Sequence, residues 1–267
     1  MNQDHLNHLY QAYLKIAPLW EGSNVFDLEQ LALPELSESY FDRKIVGRLR
    51  LGQLAEQFAF QELSALPNYE MLSENIQIQH NKHTLGELDA LIKVHGTPIH
   101  LEIVYKFYVY DSNSGSQELD RWIGPNRKDS LMEKLTKLKD KQLPLLYSEE
   151  SANRLKALGL EAYNFQQQVL FKGQLFVPID KDISFKLLNK NCVSGVFYKK
   201  HQLQSLTNCR FFLPTKLDWF LEPRADVEWM DYEAFTTKTK ELLNEHRSPL
   251  FWVDTGEQLS KAFLVWW

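Results

Sequence analysis

A chain of 267 residues, 44% hydrophobic, 24% charged and with a formal net charge of −5, can bury a substantial core without disulfide or metal staples. This balance excludes a disordered or low-complexity chain and argues against a protein that coats nucleic acid nonspecifically, while allowing an acidic metal site with basic walls. No apolar run reaches the ~18 residues of a membrane span, and MNQDHLNHLYQAYLKIAPLW lacks the basic flank and apolar segment of a signal peptide, so no membrane contact and a cytoplasmic location are expected.

Along the chain, Leu6, Leu9, Tyr10, Tyr13 and Leu14 recur at helical spacing before Pro18, and a second short helix is predicted over Val25 to Leu33. From Ser37, with Glu38 and Asp42 as an acidic start, a long helix is predicted to about Leu66, before Pro67-Asn68. Ile45, Leu49, Gly52, Glu56, Ala59 and Leu63 share one face of that helix, and Glu56 is its single charge, so Glu56 is expected to look inward.

A meander of three strands follows, over Tyr69 to Gln79, Gly86 to Val94 and Thr97 to Tyr110, with turns at His80 to His83 and His95-Gly96. A helix over Ser130 to Lys141 carries Leu131, Leu135 and Leu138 on one face and Lys134, Lys137 and Lys141 on another. A helix over Ala152 to Gly159 and a strand over Gln167 to Ile179 complete a helix-meander-helix-strand order, which predicts an α/β fold with a mixed central sheet flanked by helices. Beyond Asp180 short strands are predicted at Gly195 to Lys199, Arg210 to Leu213 and Leu250 to Asp254, amid Trp219, Trp229, Trp252, Trp266 and Trp267. Such aromatic density is the mark of a core more often than of a base-stacking platform. Cys192 and Cys209 lack metal-ligand spacing and read as reduced core residues.

The third strand, TPIHLEIVYKFYVY, reads as buried on both faces yet holds Glu102 and Lys106. The strand before it, in GELDALIKV, holds Glu87 and Asp89 on one face. Mg²⁺ takes hard oxygen ligands, and Asp89 and Glu102 on neighbouring strands suit it, with Lys106 placed to hold or help deprotonate an attacking water. Between Arg121 and Lys141 seven basic residues stand against three acidic ones, a basic wall beside an acidic centre.

Glu56 on a helix, then Asp89, then Glu102 and Lys106 on the next strand resembles the PD-(D/E)XK nuclease superfamily over roughly residues 41–180. RLRLGQLAEQFAFQEL, GELDALI, HLEIVYKFYVY, WIGPNRKDSLMEKLTKLKDKQLPLL and LPTKLDWF are similar to a bacterial family catalogued as DUF1853. The superfamily resemblance implies a restriction-endonuclease-like core at 41–180, after an N-terminal helical preface at 1–40 and before a C-terminal aromatic-rich α+β extension at 181–267. It implies a phosphodiesterase with Mg²⁺ or Mn²⁺ on Glu56, Asp89 and Glu102, and nucleic acid, above all DNA, as partner. The superfamily places its lysine two residues after the acid, where this chain has Val104, so Lys106 would need a bend or bulge to reach the metal. Lys134, Lys141 and Gln142 on the basic helix are further candidates to face substrate.

Two other readings are weighed. One is a nuclease fold without catalysis, used for nucleic-acid or protein binding, in which Glu102 and Lys106 form a buried structural ion pair. The other is a different enzyme using His80, His83, His95 or His100, although none has helical metal spacing and each reads better as a surface or hydrogen-bonded histidine. No Gly-rich phosphate loop and no Gly-x-Ser-x-Gly elbow occurs.

Overall fold

Leu6, Leu9, Tyr10 and Tyr13 are buried on one side of α1 (Gln3–Leu14), whose first turn is capped where His5 N–H donates to Asn2 Oδ1 at 2.8 Å. This is the first element of a computed structural model that describes residues 2–36 and 39–267. The other elements are α2 (Leu51–Ala65), β1 (Tyr69–His80), β2 (His83–Val94), β3 (Thr97–Tyr110), β4 (Trp122–Ile123), α3 (Leu131–Lys137), α4 (Glu149–Ala157), β5 (Gln166–Pro178), β6 (Val193–Lys199), β7 (Arg210–Phe212), α5 (Tyr232–Asn244), β8 (Leu250–Asp254) and β9 (Leu259–Val265). They fall into two compact units: Met1–Tyr105 with Met132–Lys172 and Leu187–Asn189, and Lys106–Leu131 with Gly173–Lys186 and Lys190–Trp267.

In the first unit β1, β2 and the start of β3 form an antiparallel meander, with the start of β5 beside β3. The β2–β3 turn is set by His95 and Gly96, both at positive φ (48° and 83°), the combination a tight two-residue hairpin requires. Ile76, Ile78, Leu88 and Leu91 of the meander pack on Leu146, Leu155 and Phe165. Elsewhere in this unit Phe41 meets Phe58 edge-on at 5.0 Å, beside Tyr10. Full burial of each such ring contributes about 1.5–3 kcal/mol.

In the second unit β4 pairs with the end of β3, β6 lies parallel to both β5 and β9, and β8 and β7 continue antiparallel. Its core includes Tyr198, Phe211, Phe235, Phe251 and Leu264, with Phe211 and Phe235 stacked at 4.3 Å. Trp219 and Trp252 are buried, so the aromatic-rich end serves a core at these positions. Cys192 and Cys209 are free thiols, the first buried. Parallel and antiparallel pairing thus coexist, and the chain is a mixed α/β protein with a mixed sheet flanked by helices. Among the described residues no helix is long and apolar enough to cross a membrane.

Three sequence expectations are corrected. Residues 25–33 are not a helix: Phe26 and Asp27 adopt positive φ, and the chain then extends so that Leu31 N–H donates to Val169 O at 2.8 Å. The helix expected from Ser37 begins at Leu51; residues 39–50 are irregular, with Gly47 at φ 75°, and Arg50 N–H donates to Gln53 Oε1 at the helix start. Its expected acidic start at Ser37 and Glu38 lies outside the described residues. The helix expected over Ser130 to Lys141 is α3 followed by a π turn (Leu138–Gln142) and a 3₁₀ segment (Leu143–Tyr147). Such π turns displace the following side chains from regular helical positions.

Candidate functional site

The β2–β3 ladder runs from Val94↔Thr97 to Ala90↔Leu101 and stops there. Asp89 and Glu102 are the next pair in this register, on strands that no longer exchange backbone hydrogen bonds. In place of a backbone carbonyl, the Asp89 carboxylate accepts from Ile103 N–H at 2.8 Å. The Asp89 N–H in turn favours the charged Glu102 carboxylate. Two acidic side chains therefore occupy the opening of a strand pair, where like charges repel.

Glu102 is fully buried and both of its oxygens are engaged. His100, two residues earlier on the same side of β3 and equally buried, lies with Nε2 3.2 Å from Glu102 Oε1. Burial pushes His100 down to about 4, so the imidazole is neutral near pH 7. Gln167 Nε2, 3.3 Å from Nδ1, can donate there, which leaves the proton on Nε2 facing Glu102. The other oxygen, Oε2, accepts from Gln142 Nε2 at 2.5 Å, and Gln142 Oε1 accepts from Lys134 Nζ at 2.7 Å. Gln142 is the last residue of the π turn.

All three acids of the predicted set are pushed well above the ordinary carboxylate range. Burial lifts Asp89 to about 8, reinforced by the charge of Glu102 and opposed by the Ile103 N–H and Lys134. Glu102 rises to about 7 through burial, with Lys134 opposing. Glu56, on α2, also rises to about 7, first through burial and then through the charges of Asp89 and Glu87, again with Lys134 opposing. The structure thus brings Glu56, Asp89, Glu102, Lys134 and Gln142 into one electrostatic cluster in the first unit.

The remaining predicted residues have other partners or face solvent. Lys106 belongs to the second unit, where its ammonium donates to Asp129 Oδ2 at 2.6 Å. With Glu102 held by His100 and Gln142, each member of the expected Glu102–Lys106 ion pair has another partner. Lys141 is exposed to solvent. Of the histidines, His80 pairs with Glu150 at the surface and His83 and His95 are exposed, whereas His100 is a buried positioning group. Sequence reasoning missed the His100–Glu102 partnership although their two-residue spacing on one strand signals it, and it missed Gln167 altogether.

Among the described residues no three or more His, Cys, Asp or Glu side chains are arranged to hold a metal ion. Mg²⁺ asks for less, since one or two carboxylates with water and substrate phosphate complete its octahedron. Asp89 and Glu102 match it in chemistry: both are hard oxygen donors whose charged forms are disfavoured by burial, with Lys134 opposing, and among the described residues neither has a directly bonded cation. The family model for a domain of unknown function, DUF1853, matches residues 23–265. Neither the curated proteins nor the solved structures contain a match to the chain.

Proposed function

The chain belongs to the DUF1853 family, and from its carboxylate cluster we propose that it is a Mg²⁺- or Mn²⁺-dependent nuclease that hydrolyses phosphodiester bonds in DNA. The observation that carries this reading is the facing pair Asp89 and Glu102 at the opened end of the β2–β3 ladder, with both carboxyl groups displaced to about 7 or 8. Titratable groups perturbed by burial and by one another are a recurrent property of catalytic sites. The order of acids, one on α2, one on β2 and one on β3, supports reading the first unit as a PD-(D/E)XK core.

Asp89 and Glu102 would hold the ion, with Glu56 as the third acid beside them. A bound divalent ion supplies Lewis-acid polarisation of the phosphate and acidifies the attacking water. Lys134 bears on all three carboxylates, and in this reading it takes the role that the resemblance gives to Lys106, setting positive charge beside the nucleophile. Gln142 and neutral His100 fix the Glu102 carboxylate in one orientation. The water oxygen forms a bond to phosphorus, the ester bond to the leaving sugar oxygen breaks, and that oxygen takes up a proton.

The engagement of both Glu102 oxygens by His100 and Gln142 favours one second reading, a module of this fold that binds nucleic acid without cutting it. Plasmid nicking separates the two. With Mg²⁺ or Mn²⁺, wild-type protein is expected to relax supercoiled DNA, and the Asp89→Ala, Glu102→Ala variant to be slower by at least about 10³-fold. Equal rates in the two proteins, or no metal-dependent nicking by wild type, would overturn the nuclease reading.

A further inference from the structure

Glu62 on α2 and Lys172 on β5 form part of the wall of a cavity of about 560 Å³ in the first unit, within the ~300–1,000 Å³ of small-molecule sites. Lys172 Nζ donates to Glu62 Oε1 and Oε2 at 2.9 and 3.0 Å, and the Glu62 and Lys172 side chains are only 6% and 4% exposed. Leu14, Ile16, Leu33 and Leu36 supply apolar wall, and Gln11 and Glu35 add polar groups. Glu35 and Lys15, also on the wall, are exposed, so the cavity reaches solvent on that side.

A buried ion pair adds little stability relative to apolar side chains of the same volume, so two charges walling a cavity are better explained by what the cavity takes in. Their unused bonding capacity says which group that is. A carboxylate offers about four acceptor sites, and among the described residues Glu62 accepts hydrogen bonds from Lys172 alone, one at each oxygen. Lys172 has given two of its three N–H donors to Glu62 and lies 4.4 Å from the Tyr13 ring centre. Gln11 donates its Nε2 to Ser39 O, which leaves its side-chain oxygen to accept. Acceptors thus remain on Glu62, Gln11 and Glu35, while the donors of Lys172 are largely spent and Lys15 is solvated. We propose that this cavity binds a small aliphatic ammonium ion, with its N–H donors on the Glu62 carboxylate and its chain along Leu14, Ile16 and Leu33. Burial raises the Glu62 carboxyl even with Lys172 opposing, so a second cation beside it is favoured. The site shares no residue with the carboxylate cluster and stands independently of the nuclease reading.

The test is calorimetric titration of n-hexylammonium chloride into the full-length protein, with sodium hexanoate and 1-hexanol as controls of equal chain length. Saturable one-site binding of the amine is expected, with both controls weaker by at least about 10-fold, the worth of a charge-assisted hydrogen bond. Glu62→Leu with Lys172→Met, which leaves neither charge unpaired, is expected to lose amine affinity by a similar factor while circular dichroism shows it folded. Isotope-filtered NMR of wild-type protein, which needs no variant, should give contacts from the hexyl chain to the methyl groups of Leu14, Ile16 and Leu33. No saturable binding of the amine, equal affinity for either control, contacts to other methyl groups in place of these, or unchanged binding by the folded double variant would overturn the proposal.

Discussion

Asp89→Asn is expected to stabilise the metal-free protein at pH 8 by about 2 kcal/mol or more, several degrees in Tm. The Asp89 carboxyl titrates near 8 in the folded chain against about 3.9 when unfolded. A folded pKa raised in this way means that the native state binds more protons than the unfolded state between these values, so stability rises as pH falls from about 8 towards 4. Asparagine carries no charge at any pH and keeps an oxygen for the Ile103 N–H. Its advantage should therefore approach its full value above about pH 8 and shrink steadily as pH falls from there towards about 4. Glu56 and Glu102, both near 7, add to the wild-type pH dependence with the same sign. Urea titrations of both proteins from pH 5 to about 8.5 check this, and a loss of stability in Asp89→Asn at pH 8 would show that the carboxylate serves the fold.

Glu62 and Lys172 should behave in the opposite way. They are buried in the first unit, 110 residues apart in sequence, and Lys172 Nζ donates to both Glu62 oxygens at 2.9 and 3.0 Å while lying 4.4 Å from the Tyr13 ring centre. Burial raises the Glu62 carboxyl too, but here a directly bonded ammonium opposes the shift. Lys172→Ala removes that cation from around a buried acid and is expected to cost about 3–5 kcal/mol. Replacing both groups together, Glu62→Leu with Lys172→Met, should recover most of this loss, because neither charge is then left unpaired in the interior. Chemical denaturation measures both, and a single variant within about 1 kcal/mol of wild type would contradict the assignment. The same chain thus holds two kinds of buried carboxylate: one bonded directly by its own lysine, the other held by neutral donors with the charge of Lys134 opposing its displacement.

The meander was legible because local rules agree there: alternation marks the strands, and turn residues such as His95-Gly96 mark their ends. The order of the meander puts Asp89 and Glu102 on neighbouring strands, and the resemblance then singled them out together with Glu56. The register at which the ladder opens is a tertiary property, and with it the use of the Asp89 side chain as a substitute for a backbone partner. The long helix was overextended because Ile45 and Leu49 continue the apolar spacing of α2, whereas Gly47 in the left-handed region belongs to an irregular segment. β9 escaped notice because Lys261 interrupts LSKAFLV; it is buried with Gln174 and Glu222 as partners. α5 was missed because YEAFTTKTKELLN is rich in threonine and buries few residues, among them Phe235 and Thr239. Nothing local links Glu62 to Lys172, and no pattern along the chain could have paired them.

The most direct test of the carboxylate cluster is calorimetric titration of Mg²⁺ and Mn²⁺ into the metal-free protein and into the Asp89→Ala, Glu102→Ala variant, in two buffers of different ionisation enthalpy at pH 7. Binding by wild type with release of protons, because cations displace them from carboxyls titrating near 7 and 8, and loss of that binding in the variant, is the predicted result. Equal binding by both proteins, or no binding by wild type, would contradict it.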